Sequence, residues 1–127
     1  MQGRYLFEYA IIRIVPRVER EEFLNVGIIL YCKDRKFLNT KYNINRVRLS
    51  ALCAEVDCNE LEEHLQSFEK ISKGEKLAGP IAALDLASRF RWLTATRSTI
   101  IQTSKVHPGF CEDPQETMEK LYSQLVL

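Results

Sequence analysis

Two runs of apolar, largely β-branched residues near the start of the chain predict the centre of a sheet. They lie at residues 9–15 and 26–31, and Pro16 ends the first run. Neither run alternates cleanly between apolar and polar positions, and near-continuous apolar character is typical of strands that are buried on both faces. The nine residues between Pro16 and the second run suit an antiparallel pair, because a parallel crossover needs about a dozen or more.

Weaker patterns add strands at the margins of this pair. Residues 37–42 follow a polar turn and alternate imperfectly, which suits an edge strand. Residues 99–103 predict a fourth strand, which we expect to run beside the second strand of the pair. His107, Pro108 and Gly109 are typical of a turn.

Helical signals occupy the middle of the chain. Asn45 and Asn59 are the expected N-caps of two helices, and the second helix is expected to end at Gly74. Pro80 suits the first position of another helix that runs to about Ala87.

A last helix is expected after Asp113, where an aspartate cap is followed by Pro114. Three early strands, helices in the middle, one late strand and a closing helix together indicate the α+β class. The sequence therefore predicts an antiparallel sheet of about four strands that is packed by helices on one face.

Length and charge narrow the classes of protein. The 127 residues fit a single domain, residues 1–127, that can fold without a metal or disulfide. A formal net charge of +1 argues against a global electrostatic attraction to nucleic acid or membranes, although a local basic patch remains compatible with it. No apolar run has transmembrane length and the N-terminus lacks a signal-peptide layout, so we expect a cytoplasmic protein.

The four cysteines carry no recognisable metal pattern. Cys32, Cys53, Cys58 and Cys111 include no C-x-x-C pair, and the spacing of Cys53 and Cys58 with His64 is unlike that of zinc sites. We therefore expect buried or inert thiols, no metal and no cofactor.

Arg13 is the first candidate for a functional residue, because it interrupts an apolar strand. Burying a guanidinium costs several kcal/mol unless it is paired. One interpretation pairs Arg13 with a carboxylate such as Glu22 or Glu8, or lets its side chain open to the edge of the sheet. The other makes it the positive floor of a cleft.

The connection between the first two strands holds a second group, Arg20, Glu22, Asn25 and Gly27. Turn chemistry explains it, since Asn satisfies local backbone groups and Gly permits a close approach. An ion pair of Arg20 with Glu22, or one with Arg13, would fix the loop. A binding role for Arg20, Glu22 and Asn25 is the alternative.

The third group is richest in arginine. It comprises Arg89, Arg91, Trp92, Arg97, Ser98, Gln102 and His107. Arginine forks with neutral donors suit phosphate or carboxylate recognition, and an aromatic ring between them can stack on a base. The alternative is internal ion pairing, because 17 acidic residues face 18 basic ones in the chain.

Two separated blocks of sequence carry a resemblance to a known family. The first joins Tyr-Ala-Ile-Ile-Arg-Ile-Val-Pro (9–16) to Arg-x-Glu-Phe-x-Asn-Val-Gly-Ile-Ile-Leu (20–30). The second comprises Arg-Phe-Arg-Trp (89–92), Arg-Ser-Thr-Ile-Ile-Gln (97–102) and His-Pro-Gly (107–109). Both resemble the signatures of the bacterial family catalogued as domain of unknown function 3037 (DUF3037).

The resemblance implies no biochemical activity, but it implies a genomic neighbourhood. Members are small bacterial proteins, often encoded beside a kinase resembling the HipA toxin. A partnership with such a HipA-like kinase, in a toxin–antitoxin-like pair, is what the resemblance implies for this chain.

Three functions compete on this basis. The leading one is a non-enzymatic accessory module that binds another protein. The second is binding of nucleic acid or nucleotide phosphate through residues 89–98, and the third is a nuclease or phosphotransferase that uses Arg13, Glu22 and His107. The oligomeric state is left open, because an unpaired strand edge can pair by symmetry.

Overall fold

A computed structural model of the chain describes residues 4–95 and 99–127. Its regular elements follow one another in the order β1–β2–β3–α1–α2–α3–β4–β5–α4. The strands are β1 (Tyr5–Ile14), β2 (Leu24–Cys32), β3 (Phe37–Tyr42), β4 (Ile101–Thr103) and β5 (His107–Cys111). The α-helices are α1 (Arg46–Leu52), α2 (Cys58–Lys73), α3 (Leu86–Leu93) and α4 (Pro114–Leu125).

The strands form one antiparallel sheet around β1. On one side, β1 pairs with β2, and β2 pairs with β3. On the other side, β4 pairs with the C-terminal part of β1 and β5 with its N-terminal part. Ser104 bridges the two short strands, because its N–H donates to the Ile11 carbonyl and its Oγ accepts from the Ile11 N–H, each at 2.8 Å. The α+β class, the antiparallel sheet and the early meander are thus confirmed.

The helices lie on both faces of the sheet. One face, with Ile12, Ile14 and Ile29, packs against residues of α1, α2 and α3. The other, with Ile28 and Leu30, packs against α4. The prediction of helices on one face therefore holds for α1–α3 only. The physical reason is the double-sided apolar character of β2, whose residues from Val26 to Cys32 are all buried and need cover on each side.

Two further predictions are corrected by long-range pairing. The late strand lies beside β1 and not beside β2. His107, Pro108 and Gly109 belong to β5 and do not form a turn. Gly109 fits there because a Cβ would collide with the Phe7 ring on the neighbouring strand, so its lack of a side chain allows close packing.

The helix boundaries follow their caps. Asn45 caps α1 as predicted, with its side chain accepting from the Arg48 N–H, and Gly74 ends α2 in the left-handed conformation. The cap of α2 is Asp57 and not Asn59. Pro80 opens only a short 3-10 turn, and α3 begins after a separate cap, Asp85, whose carboxylate accepts from the Ser88 N–H. Asp113 and Pro114 start α4 as predicted.

Candidate functional site

Three of the candidate residues form a row across the sheet. Arg13 in β1 lies opposite Asn25 in β2 and opposite Gln102 in β4. Directly paired residues of neighbouring strands present their side chains on the same face. The row therefore brings the two sequence blocks together, with Arg13 in the middle.

Arg13 lies in an unusual electrostatic environment. Its guanidinium carbon lies 3.9 Å from the centroid of the Phe23 ring, and its Nε is buried without a hydrogen-bond partner. Burial lowers the pKa of Arg13 from its usual value. The lowered pKa means that desolvation of the charge is not compensated, since a nearby carboxylate would raise it.

The two carboxylates that the sequence offered to Arg13 are used elsewhere. Glu22 pairs with Arg20, and Glu8 pairs with Arg91 through hydrogen bonds of 2.9 and 3.3 Å. Within residues 4–95 and 99–127, Arg13 forms no ion pair. Internal pairing with Glu22 or Glu8, one branch of the structural interpretation of Arg13, is therefore wrong.

Asn25 links the row to the last helix. Its Nδ2 donates to the Leu125 carbonyl at 3.2 Å, while its Oδ1 is buried without a partner. The residue thus links the start of β2 to the end of α4. Gln102 is anchored locally, because its Nε2 donates to the Thr99 carbonyl at 2.9 Å.

The row continues along β1 toward His107. The side chains of Tyr9 and Ile11 lie on the same face as Arg13, because alternate residues of a strand share a face. His107 pairs with Tyr9 across the strands, and their rings lie 5.3 Å apart. All of these side chains are half-buried or exposed. We call this surface the open strip, and it consists of Tyr9, Ile11, Arg13, Phe23, Gln102 and His107.

Arg20 and Glu22 lie outside the strip. Their ion pair is exposed, and it lines a polar pocket of about 420 Å³ between the β1–β2 connection and the end of α1. Each lowers the free energy of the other's charged form, which raises the pKa of Arg20 and lowers that of Glu22. The pair supports the predicted fixing of the loop.

Arg89 is a structural residue in the interior. Its Nη1 donates to the Ile71 and Ser72 carbonyls at 3.2 and 3.3 Å, at the end of α2. Its Nε donates to the Asp85 carbonyl at 3.4 Å. The side chain is only 8% exposed, so this guanidinium satisfies helix-terminal carbonyls and is not presented to a ligand.

The remaining arginine-rich residues lie on the helical face. Arg91 is held by Glu8, as described, which raises its pKa. Trp92 is 42% exposed and lines an apolar pocket of about 210 Å³ beside Phe68 and Ile101. Arg97 and Ser98 lie outside the described residues.

The structure keeps the three residues of the enzyme hypothesis apart. His107 pairs with Tyr9 of β1, and Arg13 lies four residues further along the same strand, which corresponds to about 13 Å. Glu22 is occupied by Arg20. The three residues of the enzyme hypothesis are therefore not gathered around one reacting atom. Among the described residues, no group of three His, Cys, Asp or Glu side chains is placed to hold a metal ion.

Sequence reasoning missed half of the open strip. Tyr9 and Ile11 have the sequence context of ordinary core residues in an apolar run, and Phe23 is an isolated apolar residue in the connection. The available signal was period-two spacing from Arg13, which places Tyr9 and Ile11 on the face of the anomalous cation. Phe23 had no such signal, because its contact with Arg13 depends on the course of the connection.

Comparison with known proteins agrees with the sequence resemblance. The family model described as "Protein of unknown function (DUF3037)" matches residues 9–126. Searches of curated proteins and of solved structures gave no significant match. Among the described residues, no helix is both long enough and apolar enough to cross a membrane.

Proposed function

We propose that this chain, which belongs to the DUF3037 family, is an accessory module that binds another protein through the open strip. One observation carries the proposal. On the sheet face where α4 covers β2, the central strand β1 presents accessible Tyr9, Ile11 and Arg13. Phe23 from the β1–β2 connection and His107 from β5 lie beside them.

The composition of the strip suits a protein partner. Aromatic residues and arginine are enriched at protein interfaces, where apolar area and bidentate hydrogen bonds combine. The strip has two aromatic side chains, one aliphatic side chain and a single arginine. A polyphosphate surface would instead need several free cations.

The edges of the sheet favour binding on the face over addition of a strand. Pro108 has no N–H to offer along β5. On the opposite edge, the Thr40 N–H in β3 already donates to Asn39 Oδ1 at 2.9 Å. Each edge thus lacks a donor that an added strand would use.

The partner to test first is the HipA-like kinase that the family resemblance implies. The chain and the neighbouring gene product would be co-expressed and passed over a size-exclusion column at micromolar concentration. We expect one common peak. Ile11→Glu should separate the proteins, because it places a charge at the centre of the strip, whereas Val47→Glu on the exposed surface of α1 should leave the peak intact.

Two outcomes would count against this function. Separate peaks for the unmodified proteins would remove the proposed partnership. A common peak that survives Ile11→Glu but is lost with Val47→Glu would place the interface on another surface. Circular dichroism of both variants would establish that they are folded.

Nucleic-acid or nucleotide-phosphate binding through residues 89–98 is the competing function. The exposed edge of Trp92 favours it, whereas the internal engagement of Arg89 and Arg91 weakens it. Trp92 is the single tryptophan of the chain, so its fluorescence reports on this region. Salt-sensitive quenching by single-stranded oligonucleotides or nucleotides would favour this function, and unchanged fluorescence at low salt would exclude it.

A further inference from the structure

The open strip contains a cation whose charge is not balanced within the described part of the chain. Arg13 forms no ion pair in residues 4–95 and 99–127, and the two acids that the sequence offered to it, Glu22 and Glu8, already bind Arg20 and Arg91. A partly desolvated charge without a counter-ion is an electrostatic cost in the free protein. An incoming anion would offset that cost. The position in front of the Arg13 guanidinium is therefore a favourable anion-binding site, which we call the seat.

The geometry of Arg13 directs this seat outward. Arg13 is half-buried and its Nε is buried, and neither Nη1 nor Nη2 makes a hydrogen bond to the described residues. The ring of Phe23 holds the guanidinium at 3.9 Å. The Arg13 guanidinium is therefore oriented before a ligand arrives, which reduces the conformational entropy lost on binding.

The neighbours of Arg13 decide which anion fits. In the row across the sheet its flanking residues, Asn25 and Gln102, carry neutral amides. A single arginine between neutral side chains matches one negative charge and the planar, two-oxygen shape of a carboxylate. A phosphate in a nucleic acid is usually held by several cations, which this row does not supply.

We propose that the open strip recognises an aspartate or glutamate carboxylate of its partner protein, bound by the Nη1 and Nη2 edge of Arg13. This inference rests on the proposed protein-binding function and names the chemistry of the partner's anchor. Tyr9, Ile11 and Phe23 supply apolar contact around the ion pair, and exclusion of water by these contacts strengthens it.

The seat can be tested without the partner. The side-chain Nε–Hε signal of Arg13 would be followed by NMR while acetyl-Gly-Glu-Gly-amide is added. We expect a saturable shift, and binding weaker by at least about tenfold for acetyl-Gly-Gln-Gly-amide, which lacks the charge. Arg13→Lys should retain weak binding and Arg13→Gln should abolish it, as followed by backbone amide shifts of β1. Arg91→Lys is the matched control and should change nothing on the strip.

Specific outcomes would overturn the proposal. Equal shifts with the two peptides would show that charge is not recognised. Tighter binding of inorganic phosphate than of the Glu peptide would indicate a nucleic-acid backbone in place of a carboxylate. Unchanged peptide binding by folded Arg13→Gln would exclude the seat.

The partner experiment separates this inference from the proposed function. If the chain and its partner form one size-exclusion peak that folded Arg13→Gln does not weaken, the function stands and the carboxylate anchor is wrong. If the neighbouring protein does not bind but the Glu peptide does, the seat stands and the partner must be sought among other acidic proteins. We expect Arg13→Gln to weaken the complex by at least about tenfold.

Discussion

Arg89 occupies the space that a side chain on Gly74 would need. The glycine ends α2 with a φ of 70°, and Nη1 of Arg89 lies where a Cβ would have to fit. From that position Nη1 reaches the Ile71 and Ser72 carbonyls. The end of α2 and the side chain from α3 are therefore one interlocked unit.

Gly74→Ala should be strongly destabilising for two separable reasons. A left-handed φ costs an alanine about 1–2 kcal/mol, and displacing Arg89 from its carbonyls adds about 1–2 kcal/mol. We expect the free energy of unfolding, measured by urea denaturation, to fall by about 2–4 kcal/mol. In an Arg89→Ala background the same glycine substitution should cost only the backbone part. Equal costs in the two backgrounds would show that Arg89 and Gly74 are not coupled.

Arg89→Ala should lower the free energy of unfolding by about 2–4 kcal/mol, because it removes a buried side chain and its hydrogen bonds at the end of α2. The Ser72 carbonyl then loses its donor, whereas the Ile71 carbonyl still accepts from the Gly74 N–H. Arg91→Ala, two residues away, is the matched control. It removes an ion pair whose arginine is 61% exposed, and such pairs contribute at most about 1 kcal/mol. Urea midpoints with unchanged m-values would measure both. A larger effect at Arg91 would contradict the assignment of Arg89 as the structural arginine.

Phe23→Leu should disturb the orientation of Arg13 more than the stability of the fold. Phe23 is 46% exposed, and a cation–π contact at an exposed site contributes about 0.5–1 kcal/mol. The free energy of unfolding should fall by no more than that. In NMR spectra the Arg13 Nε–Hε signal should move downfield, because the shielding ring above the guanidinium is gone. An unchanged signal would mean that the two side chains do not meet in solution.

The parts of the fold that could be predicted are those in which local and long-range preferences agree. The apolar runs in β1 and β2 require burial wherever they pair, and Asp113 with Pro114 favours a helix start in any context. β5 could not be predicted in this way, because Pro108 and Gly109 locally favour a turn. They lie in a strand because β1 offers unpaired backbone groups there and the Phe7 ring packs against Gly109.

The same distinction between local sequence and long-range packing applies to the residues of the candidate site. Arg13 stands out from the sequence because a charge within an apolar strand is anomalous wherever the strand lies. Arg89 and Arg91 look alike in sequence, two residues apart on α3. Their roles differ because helical rotation points Arg89 into the interior at the end of α2 and Arg91 outward to Glu8. Only the packing of α3 against α2 and β1 decides that difference.

The buried thiol of Cys111 should make the protein less stable at alkaline pH. Burial, with a smaller contribution from neighbouring Cys32, raises the pKa of Cys111 from 9.0 to about 11. The folded state then holds its proton while the unfolded state releases it, so the free energy of unfolding falls as the pH rises from about 9 to about 11. Below pH 9 the full contribution of the neutral thiol is present. Urea denaturation of the unmodified chain and of Cys111→Ala across pH 8–11 would measure this.

For Cys111→Ala, the informative quantity is the slope of the free energy of unfolding against pH, and not its absolute value. It loses packing at every pH, but it should show a shallower decline above pH 9, since tyrosine and lysine titrations are common to both proteins. Iodoacetamide should alkylate half-buried Cys53 well before Cys111, because only an accessible thiolate reacts. Parallel pH profiles for the two proteins, or early alkylation of Cys111, would mean that this thiol is not buried as a neutral group between β5 and α4.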